Sequence, residues 1–268
     1  MSLYSNPLSG VRQYLSGAVG DLIEGTAVSG TTTTLVSTML RQADDYYNNH
    51  KFRCYIYGGT NIGAEREISD WVLSTNTLTF APAFSLAIDS TSRYELHRIF
   101  FADDYLKAIN LAIEDAALNG YLLDLIDETV VLVADTYEYT LPTTMYYVHR
   151  VTTENEAATG DFYDDGLVDS RDWELISSRK IRLNYDRYSI TAGKDLRIEG
   201  QGRQAIVSVD SDLIKLPVDW LVQKAITFLP EVKVLSNKLD RTYAKANDYV
   251  ARYPITKYPS IWARRVAE

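Results

Sequence analysis

A chain of 268 residues has room for one large domain or two smaller ones, and 46% hydrophobic with 24% charged residues excludes disordered and fibrous classes. A formal net charge of -9 gives a surface that as a whole repels phosphates, which disfavours tight wrapping of DNA and binding to anionic membranes. The single cysteine, Cys54, excludes an intramolecular disulfide framework and a multi-cysteine zinc site, and reads as a small buried hydrophobe in a protein folded in a reducing cytoplasm.

The first element in chain order is a helix over residues 11–23, where Val11, Tyr14, Leu15, Ala18, Val19, Leu22 and Ile23 recur at helical spacing. Residues 1–9 lack the charged and apolar regions of a cleaved signal, and the longest apolar run, 130–134, is too short to span a bilayer, so a soluble protein is expected. A Gly/Thr-rich stretch over 25–34 leads into strand-like segments at 52–57, 67–73, 78–80 and 93–97, with a hairpin turn at 74–77. One helical pattern, over 35–46, interrupts this β region. Leu106, Ile109, Ile113 and Ala116 then mark an amphipathic helix over 102–121, with Asp103 as its expected cap and Asn119-Gly120 as its stop.

A second β region follows, with candidate strands at 129–133, 137–141, 145–152, 173–176, 180–184, 195–199 and 205–209. Leu221, Ala225, Phe228, Leu229 and Val232 return to helical period after Pro217, with a kink expected at Pro230. A last helix is expected from Ser236 to Tyr253, and the prolines at 254 and 259 make the remainder an extended arm. The domain reading is an N-terminal helix (1–25), a first β-rich region (26–100), a central helix (101–121), a second β-rich region (122–216), a C-terminal helix pair (217–253) and the arm (254–268).

The sequence lacks a phosphate-binding loop, a Gly-x-Ser-x-Gly elbow and a His-Glu-x-x-His helix. His50, His97 and His149 lie in separate segments and read as surface or strand residues. Asp161, Asp165, Gly166, Asp169 and Asp172 match five positions of a calcium loop. Position three is Tyr163 and the last ligand is Asp rather than Glu, so a solvated acidic loop is the preferred reading and calcium stays an alternative. Asp103, Asp104, Asp44 and Asp45 include adjacent carboxylates of the kind a glycosidase uses, but Asp103 and Asp104 suit a helix first turn. The expectation is no catalytic residue, no metal and no cofactor.

The positive signal is at the C-terminal end. Between Arg241 and Arg265 stand six basic residues and one acid, Asp248, in an otherwise acidic chain. Tyr, Trp and Arg are the residues that dominate binding hot spots. Tyr253, Ile255, Lys257, Tyr258, Ile261, Trp262, Arg264 and Arg265 are therefore the candidate partner-binding residues, with Trp262 as the expected anchor on a different chain.

The run Gly30-Thr-Thr-Thr-Thr-Leu-Val36, then Asp44-Asp45-Tyr46, Gly58-Gly-Thr-Asn-Ile-Gly63 and Arg66-Glu-Ile68, resembles the amino-terminal region of neck proteins of tailed bacteriophages. Asp212-Leu-Ile-Lys-Leu-Pro-Val-Asp-Trp-Leu221 resembles their segment leading into a carboxyl-terminal helix pair. The resemblance implies an α+β fold: a small four-helix bundle carrying two β-rich inserted regions and an extended arm. It also implies a non-enzymatic virion protein, a head-to-tail adaptor made in the host cytoplasm. Such a protein forms a homo-oligomeric ring, commonly twelve-fold, between the portal and the tail, through which DNA passes without specific binding. The size of the β regions departs from that pattern, and a virion receptor- or glycan-binding module and an unrecognised hydrolase are the competing classes.

Overall fold

The structure is a computed structural model that describes residues 5–155, 159–176, 179–257, 259 and 263–266. Its contacts divide it into two units, one made of the described parts of Tyr4–Asp115 and Ile206–Pro254, the other of Ala116–Ala205 and Ile255–Glu268. The expected helical bundle is corrected: the described residues hold 16 strands in four sheets and six helices, and sheets rather than helices organise the chain.

In the first unit the helix α1 (Leu8–Ala18) buries Leu8, Val11 and Leu15, spaced for one face, together with Arg12 and Ser16. It stops earlier than its apolar periodicity suggests, because Gly20 takes φ 72° and closes the end by Gly20 N–H to Gly17 O at 3.0 Å and Asp21 N–H to Ser16 O at 2.9 Å. Ile23 therefore starts a strand. Seven strands follow in the spatial order Ile23–Thr26, Arg93–His97, Arg53–Gly58, Glu65–Val72, Thr77–Phe80, Thr34–Val36 and Ser29–Gly30. The first and last of these are halves of one continuous segment. Ala27 N–H reaches Ser92 O at 2.9 Å and Val28 N–H reaches Val36 O at 2.8 Å, so the sheet closes on itself as a small barrel and leaves no free edge there. Its interior is filled by Leu35, Ile56, Ile68, Trp71, Leu78, Tyr94 and Leu96.

The amino-terminal residues that carry the resemblance belong to this barrel and its loops. Carbonyls of Thr31, Thr32 and Thr33 accept the backbone N–H groups of Ile88, Phe84 and Phe80. Asp44 accepts the N–H of Leu73 at 2.6 Å, and Asn61 pins the 58–63 loop through Leu86 N–H and O, both at 2.9 Å. The helix expected over 35–46 is absent: Leu35 is a strand residue, and only Tyr46–Asn49 (α2) is helical. Leu35 and Met39, four residues apart, have the right spacing for a helix, but the N–H and C=O groups of Thr34–Val36 find partners in Thr77–Thr79 instead.

Helix α3 (Ala102–Leu118) starts with Asp104 accepting the N–H of Phe101 at 2.8 Å, one half of a capping box supplied by Asp104 rather than Asp103. The stretch from Pro217 divides into α4 (Val218–Ile226) and α5 (Glu231–Ser236), with Pro230 heading the second helix, and α6 (Asp240–Arg252) follows. Helix α4 packs on α1 and α6, and Asp115 and Asp104 of α3 meet Lys224 of α4 and Lys233 of α5 at 3.1 and 2.6 Å.

The second unit has two sheets sharing one core. One runs Glu138–Thr140, Lys180–Leu183, Trp173–Ile176; the other Arg264–Arg265, Met145–Thr153, Asp195–Gly202, Leu123–Val131. Val148, Val151, Ile181, Leu183, Leu196 and Ile198 are fully buried between them. Gly202 permits the close approach of strands: a Cβ there would lie 1.9 Å from the Thr144 carbonyl oxygen.

Candidate assembly interface

The C-terminal segment begins at Tyr253, which follows α6, is 61% exposed and stacks on Tyr249 with ring centroids 5.0 Å apart. Ile255 is half-buried. Lys257 lies beside residues 120–122, exchanging backbone hydrogen bonds with Gly120 and Leu122 at 3.3 Å, and its Nζ meets Asp124 Oδ2 at 2.9 Å. Tyr258, Ile261 and Trp262 lie outside the described residues.

The chain reappears on the opposite side of the same sheet, where Arg264 and Arg265 pair antiparallel with Val148 and Tyr147. Arg264 is held by three contacts: its guanidinium lies 4.3 Å from the Trp173 ring centroid and donates to Trp173 O at 2.8 Å and Ser170 O at 2.6 Å. Val266 enters the core at 5% exposure, its N–H bonded to Tyr146 O at 2.8 Å. Both described ends of the arm are thus seated on this chain's own sheet, at its two sides. The charge of the arm was visible in the sequence. That Arg264–Val266 would have strand pairing was not, because two residues carry no readable period.

Next to Arg264 lies a cleft of about 800 Å³ lined by His149, Arg150, Asp164, Leu167, Ser170 and Trp173 among others. The acids of residues 161–172 are engaged locally rather than around one point. Asp164 meets Arg150 at 2.6 Å, Asp161 accepts from Tyr163 Oη at 3.0 Å, and Asp172 lies 3.9 Å from Arg187. Hydrogen bonds from the Arg171 side chain and backbone hold Asp169 down at about 2. Among the described residues no group of three or more His, Cys, Asp or Glu converges.

In the first unit a buried ionic network escaped the sequence reading. Arg12 donates Nε and Nη2 to Glu95 at 2.8 and 3.1 Å and Nη1 to Asp210, which also accepts from Tyr55 Oη at 2.9 Å. His97, fully buried, meets Glu95 at 3.0 Å and the Asp21 carbonyl at 2.8 Å. Asp21 caps the N–H groups of Arg98, Ile99 and Phe100. Burial alone would raise the Glu95 pKa, but hydrogen bonds from His97 and Arg12 and their charges outweigh it and hold it below the ordinary value. For Arg12 burial works downward, and the bonds and charges of Glu95 and Asp210 raise it above its usual range. A narrow cleft of about 250 Å³ opens over Arg12, Tyr55 and Glu65, whose carboxyl burial pushes up.

A groove of about 550 Å³ opens in this unit between α1, α4 and α6, lined by Tyr14, Val218, Asp219, Val222, Gln223 and Tyr249. Tyr14 is 60% exposed, and Val232 and Leu235 on α5 stand 80% and 58% exposed. Helix α6 buries only Ala246. No spacing rule separates such side chains from a core stripe, since the same period serves both. No family model and no curated protein matches the sequence.

Proposed function

We propose that the chain is a non-enzymatic structural subunit of a virion neck, a head-to-tail adaptor that assembles as a ring with a channel for DNA. The observation that carries this reading is the groove between α1, α4 and α6, with Tyr14 and Tyr249 in its lining and Val232 and Leu235 exposed on α5. Aromatic and apolar side chains of this size, held on rigid helices and left in water, are the makings of a protein–protein contact. The ionisable side chains at the heart of the first unit are by contrast saturated by one another: Arg12 with Glu95 and Asp210, His97 with Glu95.

The resemblance to phage neck proteins supplies the setting, and its residues all fall in the barrel and in the segment entering α4, not in the second unit. An acidic body suits a channel through which DNA slides without being gripped. The ring, with the portal on one side and tail proteins on the other, belongs to this reading. The test is light scattering and negative-stain imaging of the purified chain over a concentration series, alone and with portal protein. Rings or a stable portal complex are expected. A chain that stays monomeric and does not bind portal sinks the reading, and selective binding to host glycans would replace it with a receptor-binding module.

A further inference from the structure

The four-stranded sheet of the second unit ends in two edges of opposite character. On one side the outermost strand is Arg264–Arg265, both exposed, and Arg265 has no ion-pair partner among the described residues. On the other side the outermost strand is Leu123–Val131, nine residues long, carrying Asp124, Asp127 and Glu128 and no base. Beyond the pairing of residues 120–122 with Lys257, no described segment hydrogen-bonds to its outer side, and Ile126 stands 65% exposed on it. A long edge that no described segment pairs along its length is a template for another strand.

We propose that this acidic edge receives the arginine-bearing edge of a second copy of the same chain, head to tail, so that one sheet continues from subunit to subunit. Strand direction permits it. Each neighbouring pair in the sheet is antiparallel, and with four strands the two edges run in opposite directions. Adding the next copy in the same orientation therefore continues the antiparallel alternation. Charge selects it over the symmetric options, because pairing the acidic edge with its own copy opposes Asp124 and Glu128 to themselves, and pairing the other edge opposes Arg265 to Arg265. The existing pairs of Asp124 with Lys257 and Glu128 with Arg197 are no barrier, since both carboxylates are about half exposed and surface pairs are exchanged at little cost. A head-to-tail contact is also the kind that closes into a ring.

This proposal rests on the self-assembly part of the neck reading and deepens it. The experiment is oxidative cross-linking of the full chain carrying Ile126→Cys and Arg265→Cys together, with the native Cys54 fully buried and out of reach. A ladder of covalent multimers well beyond the dimer is expected from the double variant, and dimers only from a mixture of the two single variants. Arg265→Glu should shift assembly to higher concentration, and Glu128→Lys in the same chain should shift it back. Dimers formed by either single variant alone would mean symmetric pairing and overturn the proposal. Absence of the ladder while the unmodified chain still forms rings overturns this contact and leaves the neck reading standing. A chain that is monomeric at every concentration and also fails to bind portal protein overturns both.

Discussion

Arg12 and Glu95 face each other side-on, Nε to Oε2 at 2.8 Å and Nη2 to Oε1 at 3.1 Å, with side chains only 3% and 0% exposed. A helix and a barrel strand are joined there by a forked pair that is almost wholly buried. Removing one partner strands the other as a buried charge, so Arg12→Ala should cost about 3–5 kcal/mol of unfolding free energy. Arg12→Met, which fills the space but leaves Glu95 and Asp210 without their guanidinium, should be nearly as harmful. Arg12→Met with Glu95→Gln should recover part of the loss. Urea unfolding of the three variants measures it; equal stability of Arg12→Ala and the unmodified chain would mean the network contributes nothing.

The same pair makes the first unit acid-sensitive. The folded Glu95 pKa is lowered from 4.5, so its stabilisation is full above that value and is lost as pH falls through the lower folded value. Thermal melts from pH 6 to pH 3 should show stability falling below about pH 4.5, more steeply than in Glu95→Gln. Parallel curves for the two proteins would reassign the acid sensitivity to other carboxylates.

The sheets are less legible in the sequence than the helices for reasons that lie in particular residues. The strands at 53–58, 93–97 and 195–202 were legible because apolar and β-branched residues alternate or run together there. Closure of the barrel was not, since it depends on Ala27 and Val28 bonding to Ser92 and Val36, pairings between residues with no pattern of their own. Helix positions outside 35–46 are legible and helix ends less so: Pro230 marks a break, but only the bonds at Gly17 and Ser16 decide where α1 stops. Counting helical stripes then gave the helices an organising role that the hydrogen bonds give to the sheets. Of the interface, the sequence showed charge and aromatic content but not which side chains remain uncovered.

Gly202 offers a test of the second unit alone. A methyl group at this position meets a backbone oxygen, Thr144 O, at 1.9 Å, and backbone cannot swing away as a side chain can. Gly202→Ala should destabilise by roughly 1–3 kcal/mol through displaced strands. Gly193→Ala makes the comparison: space is open there, with strain from φ 82° alone. Hydrogen exchange should show faster opening of residues 145–151 in Gly202→Ala, and unchanged protection would contradict the close approach.

The arm should contribute to folding as well as to any contact with another chain. Val266 fills the core at 5% exposure and Arg264 covers Trp173, so a chain ending at Tyr253 empties that part of the core and uncovers Trp173. Val266→Ala should cost roughly 1–3 kcal/mol. Loss of stability in the truncated chain is expected to appear in the second unit, read as exposure of Trp173 by fluorescence in a background where the other tryptophans are replaced by Phe. Truncation without any change in stability would show that the arm's seat on its own sheet is not occupied in solution.

The groove between α1, α4 and α6 separates assembly from folding most cleanly. Tyr14 is 60% exposed, so replacing it removes little from the folded monomer, whereas an aromatic side chain at the centre of an interface commonly carries about 2 kcal/mol or more of binding energy. Tyr14→Ala and Tyr14→Asp should leave the melting temperature within about a degree of the unmodified chain, because exposed sites seldom change stability by more than about 0.5 kcal/mol. Assembly should move to at least about tenfold higher concentration, the equivalent of 1.4 kcal/mol. Val222 is buried at 6% in the same lining, so Val222→Ala would confuse the two effects and is the wrong probe. Sedimentation velocity over a concentration series reads the outcome. If Tyr14→Asp assembles like the unmodified chain, this groove is not where a partner sits, and the exposed side chains of α5 and α6 become the next surface to test.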